Sequence, residues 1–166
     1  MTNRRFLLGL LVIALAFGIT VVGCENDLIP DPKLNGTWVY EQTYTGGRIH
    51  IQIKFNNGSY EFSTTSPFFS GPIEKGTYTT GSGIINFTSW QINGAYLAST
   101  GGASSVFKDR WYSSKEYKDV MKSAGQETYT SVATYEVYDN TLTLTSTSTR
   151  DSDGNVTTSS TTYTRK

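Results

Sequence analysis

The sequence predicts an all-β domain, an antiparallel sandwich or barrel of eight short strands. Three observations lead there. Ile49, Ile51, Ile53 and Phe55 alternate with His50, Gln52 and Lys54, the period of two expected of a half-buried strand. Turn signals recur at short spacing: Gly46-Gly47, Asn56-Asn57-Gly58, Gly81-Ser82-Gly83, Asp139-Asn140 and Asp151 to Asn155. Each supplies residues that tolerate positive φ between β-favouring runs. Those runs fall at 34–44, 48–56, 58–65, 73–80, 84–92, 128–138, 141–150 and 156–165, spaced for hairpin connections.

Ahead of the strands the chain has a different character. Arg4 and Arg5 precede an apolar run from Phe6 to Val22, and Val21-Val22-Gly23-Cys24 closes it. A charged start, an apolar centre and small residues at a cleavage point describe a signal peptide over residues 1–23. The run is short for a membrane span, which needs about 20 apolar residues, and no basic cluster follows it. Val21-Val22-Gly23-Cys24 resembles the lipobox of bacterial lipoproteins. That resemblance implies cleavage after Gly23 and a diacylglyceryl thioether on Cys24, the chain's single cysteine. It also implies residence in the bacterial cell envelope, anchored through lipid on the extracytoplasmic side. Residues 24–33 are polar with two prolines and read as a lipidated tether. Residues 34–166 form the domain.

Processing leaves 143 residues of the 166, the length of one domain. Losing Arg4 and Arg5 lowers the basic count from 14 to 12, against 14 acidic residues. A net charge of −2 with no basic patch argues against nucleic acid as a partner. With Cys24 lipidated no thiol remains for a disulfide, so core packing must stabilise the fold.

One segment departs from strand character. Ser113 and Glu116 have capping-box spacing, and Tyr117, Val120, Met121 and Ala124 then recur at i, i+3, i+4 and i+7. Gly125 can end the turn. This predicts one short amphipathic helix inside a long connection, residues 93–127, between the fifth and sixth strands. A connection of that length serves as a binding lid or as a plug at one end of the sheet. The last two strands are mostly Thr and Ser, with Leu142, Leu144 and Val156 their aliphatic residues.

The Asn35-Gly36-Thr37-Trp38 segment resembles the Gly-x-Trp opening of calycins, especially lipocalin-like domains of bacterial lipoproteins. Phe55-Asn56-Asn57-Gly58, Gly76-Thr77-Tyr78 and Tyr138-Asp139-Asn140-Thr141-Leu142 follow in the matching order. The resemblance spans most of 34–165 and implies an eight-stranded antiparallel up-and-down barrel. The closed-end Thr-Asp-Tyr of typical lipocalins is missing, and the helix precedes the sixth strand instead of following the eighth. In such a barrel loops alternate between two ends. Turns 56–58, 81–83 and 139–140 share the closed end with Trp38 and Arg165, and the resemblance implies that this arginine covers that tryptophan. The open end receives loops 45–48, 66–72, 93–127 and 151–155.

Chemistry is sparse. The single histidine, His50, faces outward, and Glu41, Glu61 and Glu74 are read as outward too, which leaves no carboxylate pair. No nucleophile elbow, phosphate loop or metal-ligand cluster is present. Asp151-Ser152-Asp153-Gly154-Asn155 resembles half a calcium loop without its glutamate and reads as a hairpin turn. Neither an enzyme nor a cofactor or metal is expected. The positive signal is aromatic: 11 Tyr, 8 Phe and 3 Trp. Phe68, Phe69, Tyr96, Phe107, Trp111 and Tyr112 fall in open-end loops, where they either bind or fold inward. Tyr44, Tyr60, Phe62, Phe68, Phe69, Trp111, Tyr117 and Tyr129 are the expected contacts of a small amphipathic ligand. The alternative is an envelope interaction protein with a filled barrel.

Overall fold

The computed structural model describes residues 29–99, 106–126, 129–150 and 152–166. The leader at 1–23, Cys24 and the first part of the tether lie outside the described residues. The strands are β1 (Gly36–Tyr44), β2 (Gly47–Asn56), β3 (Ser59–Thr65), β4 (Ser70–Gly81), β5 (Ile84–Asn93), β6 (Trp111–Ser113), β7 (Tyr129–Tyr138), β8 (Thr141–Arg150) and β9 (Val156–Arg165). Two helices, α1 (Gly94–Ser99) and α2 (Ser114–Ser123), flank β6. The eight long strands pair in the order β4-β3-β2-β1-β9-β8-β7-β5, and β4–β5 pairing closes an antiparallel up-and-down barrel, lipocalin-like in architecture. Where one short helix was expected between the fifth and sixth long strands, the connection holds α1, β6 and α2. The six-residue α1 and three-residue β6 are too short to show a period in sequence.

Tight two-residue turns set the registers. Asn57 and Gly58 have φ of 44° and 88°, the doubly positive geometry of a hairpin whose twist matches its strands. Long ladders hold the barrel except at two seams. β1 meets β9 only at Trp38↔Arg165 and Val39↔Thr164, and β5 meets β7 only at Ile84↔Thr134 and Ile85↔Ala133. At its other end β5 pairs with β6 instead, through Gln91–Asn93. The barrel is therefore tight at one end and splayed at the other.

The tight end is floored by the segment before β1. Trp38 and Leu34 are fully buried, and the Trp38 Nε1–H donates to the Leu34 carbonyl at 2.7 Å. The Arg165 guanidinium lies 4.1 Å from the Trp38 ring centroid. It also donates to the carbonyls of Asn35 at 2.7 Å and Lys33 at 2.8 Å. Within residues 29–33, expected to be tether, Asp31 is tied here as well: its N–H donates to Thr80 Oγ1 at 2.7 Å, and the Tyr135 hydroxyl donates to its Oδ2 at 3.0 Å.

Two bulges reset which side chains point inward. Phe62 pairs with Glu74 but Ser63 with Pro72, so Ile73 is an extra residue in β4. Lys75 pairs with Gln91 but Thr77 with Thr88, so β5 carries an extra residue opposite Gly76. The buried set in β5 accordingly changes from Ile85 and Phe87 to Trp90 and Ile92. In β4 both Ile73 and Glu74 are buried, each 1 % exposed. The outward reading of Glu74 is thereby corrected: alternation counted from Ile73 is broken by the bulge at Ile73 itself. Glu41 and Glu61 are exposed, and Glu41 Oε1 accepts a 3.1 Å hydrogen bond from His50 Nδ1 on the outer surface.

Candidate functional site beneath the cap

Glu74 is the one carboxyl among the described residues that is fully buried in the barrel. It faces the same interior as Tyr60, whose hydroxyl donates to Glu74 Oε1 at 2.5 Å. Burial pushes the Glu74 carboxyl up to about 8, against the lowering effect of the Tyr60 hydrogen bond. At neutral pH the group is protonated. Burial and the nearby carboxyl together raise three phenols: Tyr60 well above its ordinary value, Tyr96 to about 12, and Tyr117 higher still. These tyrosines come from β3, α1 and α2. The site thus joins the barrel wall to the helical connection.

That connection forms a built cap. Asn93 accepts from the Ala95 N–H at 2.9 Å and donates to the Pro72 carbonyl at 2.9 Å, which fixes the start of α1 over β4. Gly94 permits the returning chain to cross α1: a Cβ there would lie 2.0 Å from the Lys108 carbonyl oxygen and 2.9 Å from that of Arg110. α2 begins with the capping box that its sequence spells. The Glu116 N–H donates to Ser113 Oγ at 3.3 Å, and the Ser113 N–H donates to Glu116 Oε2 at 2.9 Å. These Ser113 bonds, helped by Arg110 at 2.9 Å, hold the Glu116 carboxyl down at about 2.

Aromatic rings weld cap to barrel. Tyr117 packs at 5.8 Å from Trp90 and stacks at 5.9 Å on Phe107, which contacts Tyr112 at 5.3 Å. Tyr96 meets Phe69 edge-on at 5.4 Å, and Tyr60 meets Phe87 at 4.6 Å. Val120 and Met121 are partly buried against the same core. The facing wall is built of small residues: Ser131, Ala133, Ser146 and Ser148 are all buried on β7 and β8. Ser131 and Ser148 share a hydrogen bond at 2.9 Å. The Ser146 hydroxyl is buried with no hydrogen-bond partner among the described residues.

The expected ligand contacts separate into groups. Tyr60, Phe62 and Tyr117 are buried in the interior, and Tyr129 lies close enough to Tyr117 to raise its phenol. Half-buried Phe69 joins them through Tyr96. Trp111 sits on β6 beneath the Lys75 ammonium, 4.3 Å from its ring. Tyr44 is half-buried at the β1–β2 turn beside Gly46 and Gly47. Phe68 is 64 % exposed and lies apart from the interior cluster. Trp90 and Ser146 are absent from the expected contacts, and Glu74 is read as outward in sequence. The inward parity of Tyr78, four residues on from Glu74, was the available signal for the carboxyl. Among the described residues no group of His, Cys, Asp or Glu is arranged to hold a metal ion.

Comparison of the chain with models of protein families, with curated proteins and with solved structures finds no match. Fold and site therefore define its class at the level of architecture: a capped, lipocalin-like β-barrel with a polar, tyrosine-ringed carboxyl inside.

Proposed function

We propose that this is a lipid-anchored bacterial envelope protein that binds a small, partly apolar molecule inside the barrel, without catalysis. The observation that carries this reading is the buried Glu74 carboxyl beneath the cap. A buried ionisable group destabilises a fold, and such groups concentrate at sites that use them. Ring faces of Tyr60, Phe87, Trp90 and Tyr117 suit an apolar body. Protonated Glu74, the Ser146 hydroxyl and the tyrosine hydroxyls suit a polar end.

The anchor sets the orientation. Four residues separate Cys24 from Ile29, and the five Cα–Cα steps between them span at most about 18 Å. Since Asp31 is pinned to the closed end, acylated Cys24 would hold that end toward the bilayer and turn the cap away from it. Cys24→Ser is expected to abolish lipid labelling and move the protein from the membrane to the soluble fraction. Processing and membrane retention equal to wild type would remove the anchor from this reading.

Ligand binding is tested by native mass spectrometry of the protein purified from its cells. The expected result is a small-molecule adduct that Glu74→Gln weakens at least tenfold. The cap's packing favours a second reading, a filled barrel that acts as a rigid display platform: Tyr96, Phe107, Tyr112 and Tyr117 are at most 7 % exposed. A protein without adduct, whose tryptophan fluorescence ignores cell extract, would support the platform.

A further inference from the structure

One edge of β9 is unpaired. β9 is hydrogen-bonded to β8 from Val156 to Thr164, but β1 meets it only at Thr164 and Arg165. Between Val156 and Thr162 no strand among the described residues is hydrogen-bonded on its other side; at Tyr163 the Tyr40 ring of β1 still packs 6.1 Å away. Two hydrogen bonds settle which backbone groups face that side. The Arg165 N–H donates to the Asn140 carbonyl at 2.8 Å, on the β8 side, and the Lys166 N–H donates to the Thr37 carbonyl at 2.9 Å, on the β1 side. In an antiparallel strand the N–H and C=O of one residue share a neighbour, and successive residues alternate. Thr158, Ser160 and Thr162 therefore present their N–H and C=O groups at the free edge.

Native edges are usually guarded by charge, proline or a bulge. The run Val156-Thr157-Thr158-Ser159-Ser160-Thr161-Thr162 has no charge and no proline, and its register with β8 is unbroken. We propose that this edge pairs with the same edge of a second copy, β9 against β9, antiparallel about a two-fold axis at Ser160.

The register follows from the facing groups. Centring on Ser160 sets Ser160 opposite Ser160 and Thr158 opposite Thr162, twice. Each facing pair exchanges two backbone hydrogen bonds. The same three residues are exposed on the outer face, where they already bond to β8: Thr158 to Thr147 at 3.2 Å, Ser160 to Thr145 at 2.9 Å and Thr162 to Thr143 at 3.3 Å. Self-pairing continues these hydroxyl rows across the two-fold, Thr147–Thr158 running into the mate's Thr162–Thr143. No like charges confront one another, the usual obstacle to joining identical strands. A peptide of other composition would take the backbone bonds but not the hydroxyl rows, which favours a second copy. One strand edge buries less than the roughly 1,200 Å² of a standard stable interface, so the pairing is weak and needs trapping.

The test is Ser160→Cys in the full chain, oxidised mildly in cells and read by non-reducing electrophoresis. Facing residues of a hydrogen-bonded pair have Cα atoms about 5.5 Å apart, within disulfide reach. A dimer-mass band is expected at least tenfold faster than for Glu61→Cys, an exposed position on β3. Cys24 is common to both proteins, so its background cancels. Adding Thr158→Pro removes a free-edge N–H that faces away from β8, a substitution that edge strands tolerate. Cross-linking should then fall to the Glu61→Cys rate while the β-sheet circular dichroism is unchanged. The proposal is overturned if Ser160→Cys links no faster than Glu61→Cys, if it links to a protein of another mass, or if a folded Thr158→Pro variant links at the full rate.

Discussion

Trp38→Ala is expected to lower the stability of the barrel by about 3–5 kcal/mol, the range for deleting a large buried aromatic. Trp38 is fully buried and holds three elements together. Its ring supports the Arg165 guanidinium, its indole N–H bonds the turn before β1, and its backbone is one of two β1 positions that pair with β9. The substitution therefore opens a cavity at one of the two short seams and frees the arginine that clasps the Lys33 and Asn35 carbonyls. Arg165→Ala leaves the indole in place and should cost less, about 1–3 kcal/mol, from the lost ring contact and charge-assisted hydrogen bonds. Urea titrations of the variants measure both. A Trp38→Ala loss under 1 kcal/mol would show that β1 and β9 are held together elsewhere.

The second large effect is a pH dependence controlled by one residue. Glu74 sits at about 8 in the folded protein against an ordinary 4.5. Below about 4.5 both folded and unfolded chains carry this proton, and the group leaves stability independent of pH. Between about 4.5 and 8 the unfolded chain has released it and the folded chain retains it. Stability should therefore fall as pH rises, with a contribution near 1.4 kcal/mol per pH unit from this group. Above about 8 the folded chain also releases the proton, and the decline ends. Glu74→Gln keeps an acceptor for the Tyr60 hydroxyl and cannot ionise. It should flatten that slope and leave the variant more stable than wild type at pH 8. Denaturation midpoints from pH 5 to 8.5 decide the matter: parallel wild-type and variant curves would mean that Glu74 is not the group responsible. A variant that is also weakened at pH 5 would assign the carboxyl a packing role.

Much of the barrel was legible before any coordinates. The β8 and β9 boundaries coincide with the runs at 141–150 and 156–165, because Asp139-Asn140 and the Asp151 to Asn155 turn punctuate them. The capping box at Ser113 and Glu116 reads directly as a helix start, since both partners lie within one turn. The loop count that set the open and closed ends needed only strand number and antiparallel order. The interior site was legible only in part. Tyr60 and Phe62 could be placed because β3 alternates without a break facing β2, whereas Glu74 is placed outward when counted from Ile73 and inward only when counted back from Tyr78. One extra residue at Ile73 reverses the faces of β4, and it is visible only against the β3 register.

Sequence alone determined the all-β class, the turns and the α2 cap, because these depend on local steric preferences and on a period of two or 3.6 residues. Tertiary structure decided the rest. It placed Glu74 inside, folded Phe107, Tyr112 and Tyr117 down onto the barrel, tied Asp31 to the floor and left most of one edge of β9 unpaired among the described residues. Each of these depends on which strands meet and where their register slips. Such pairing is non-local, so the residues that create it lie far apart in the chain and carry no local signature of their partner.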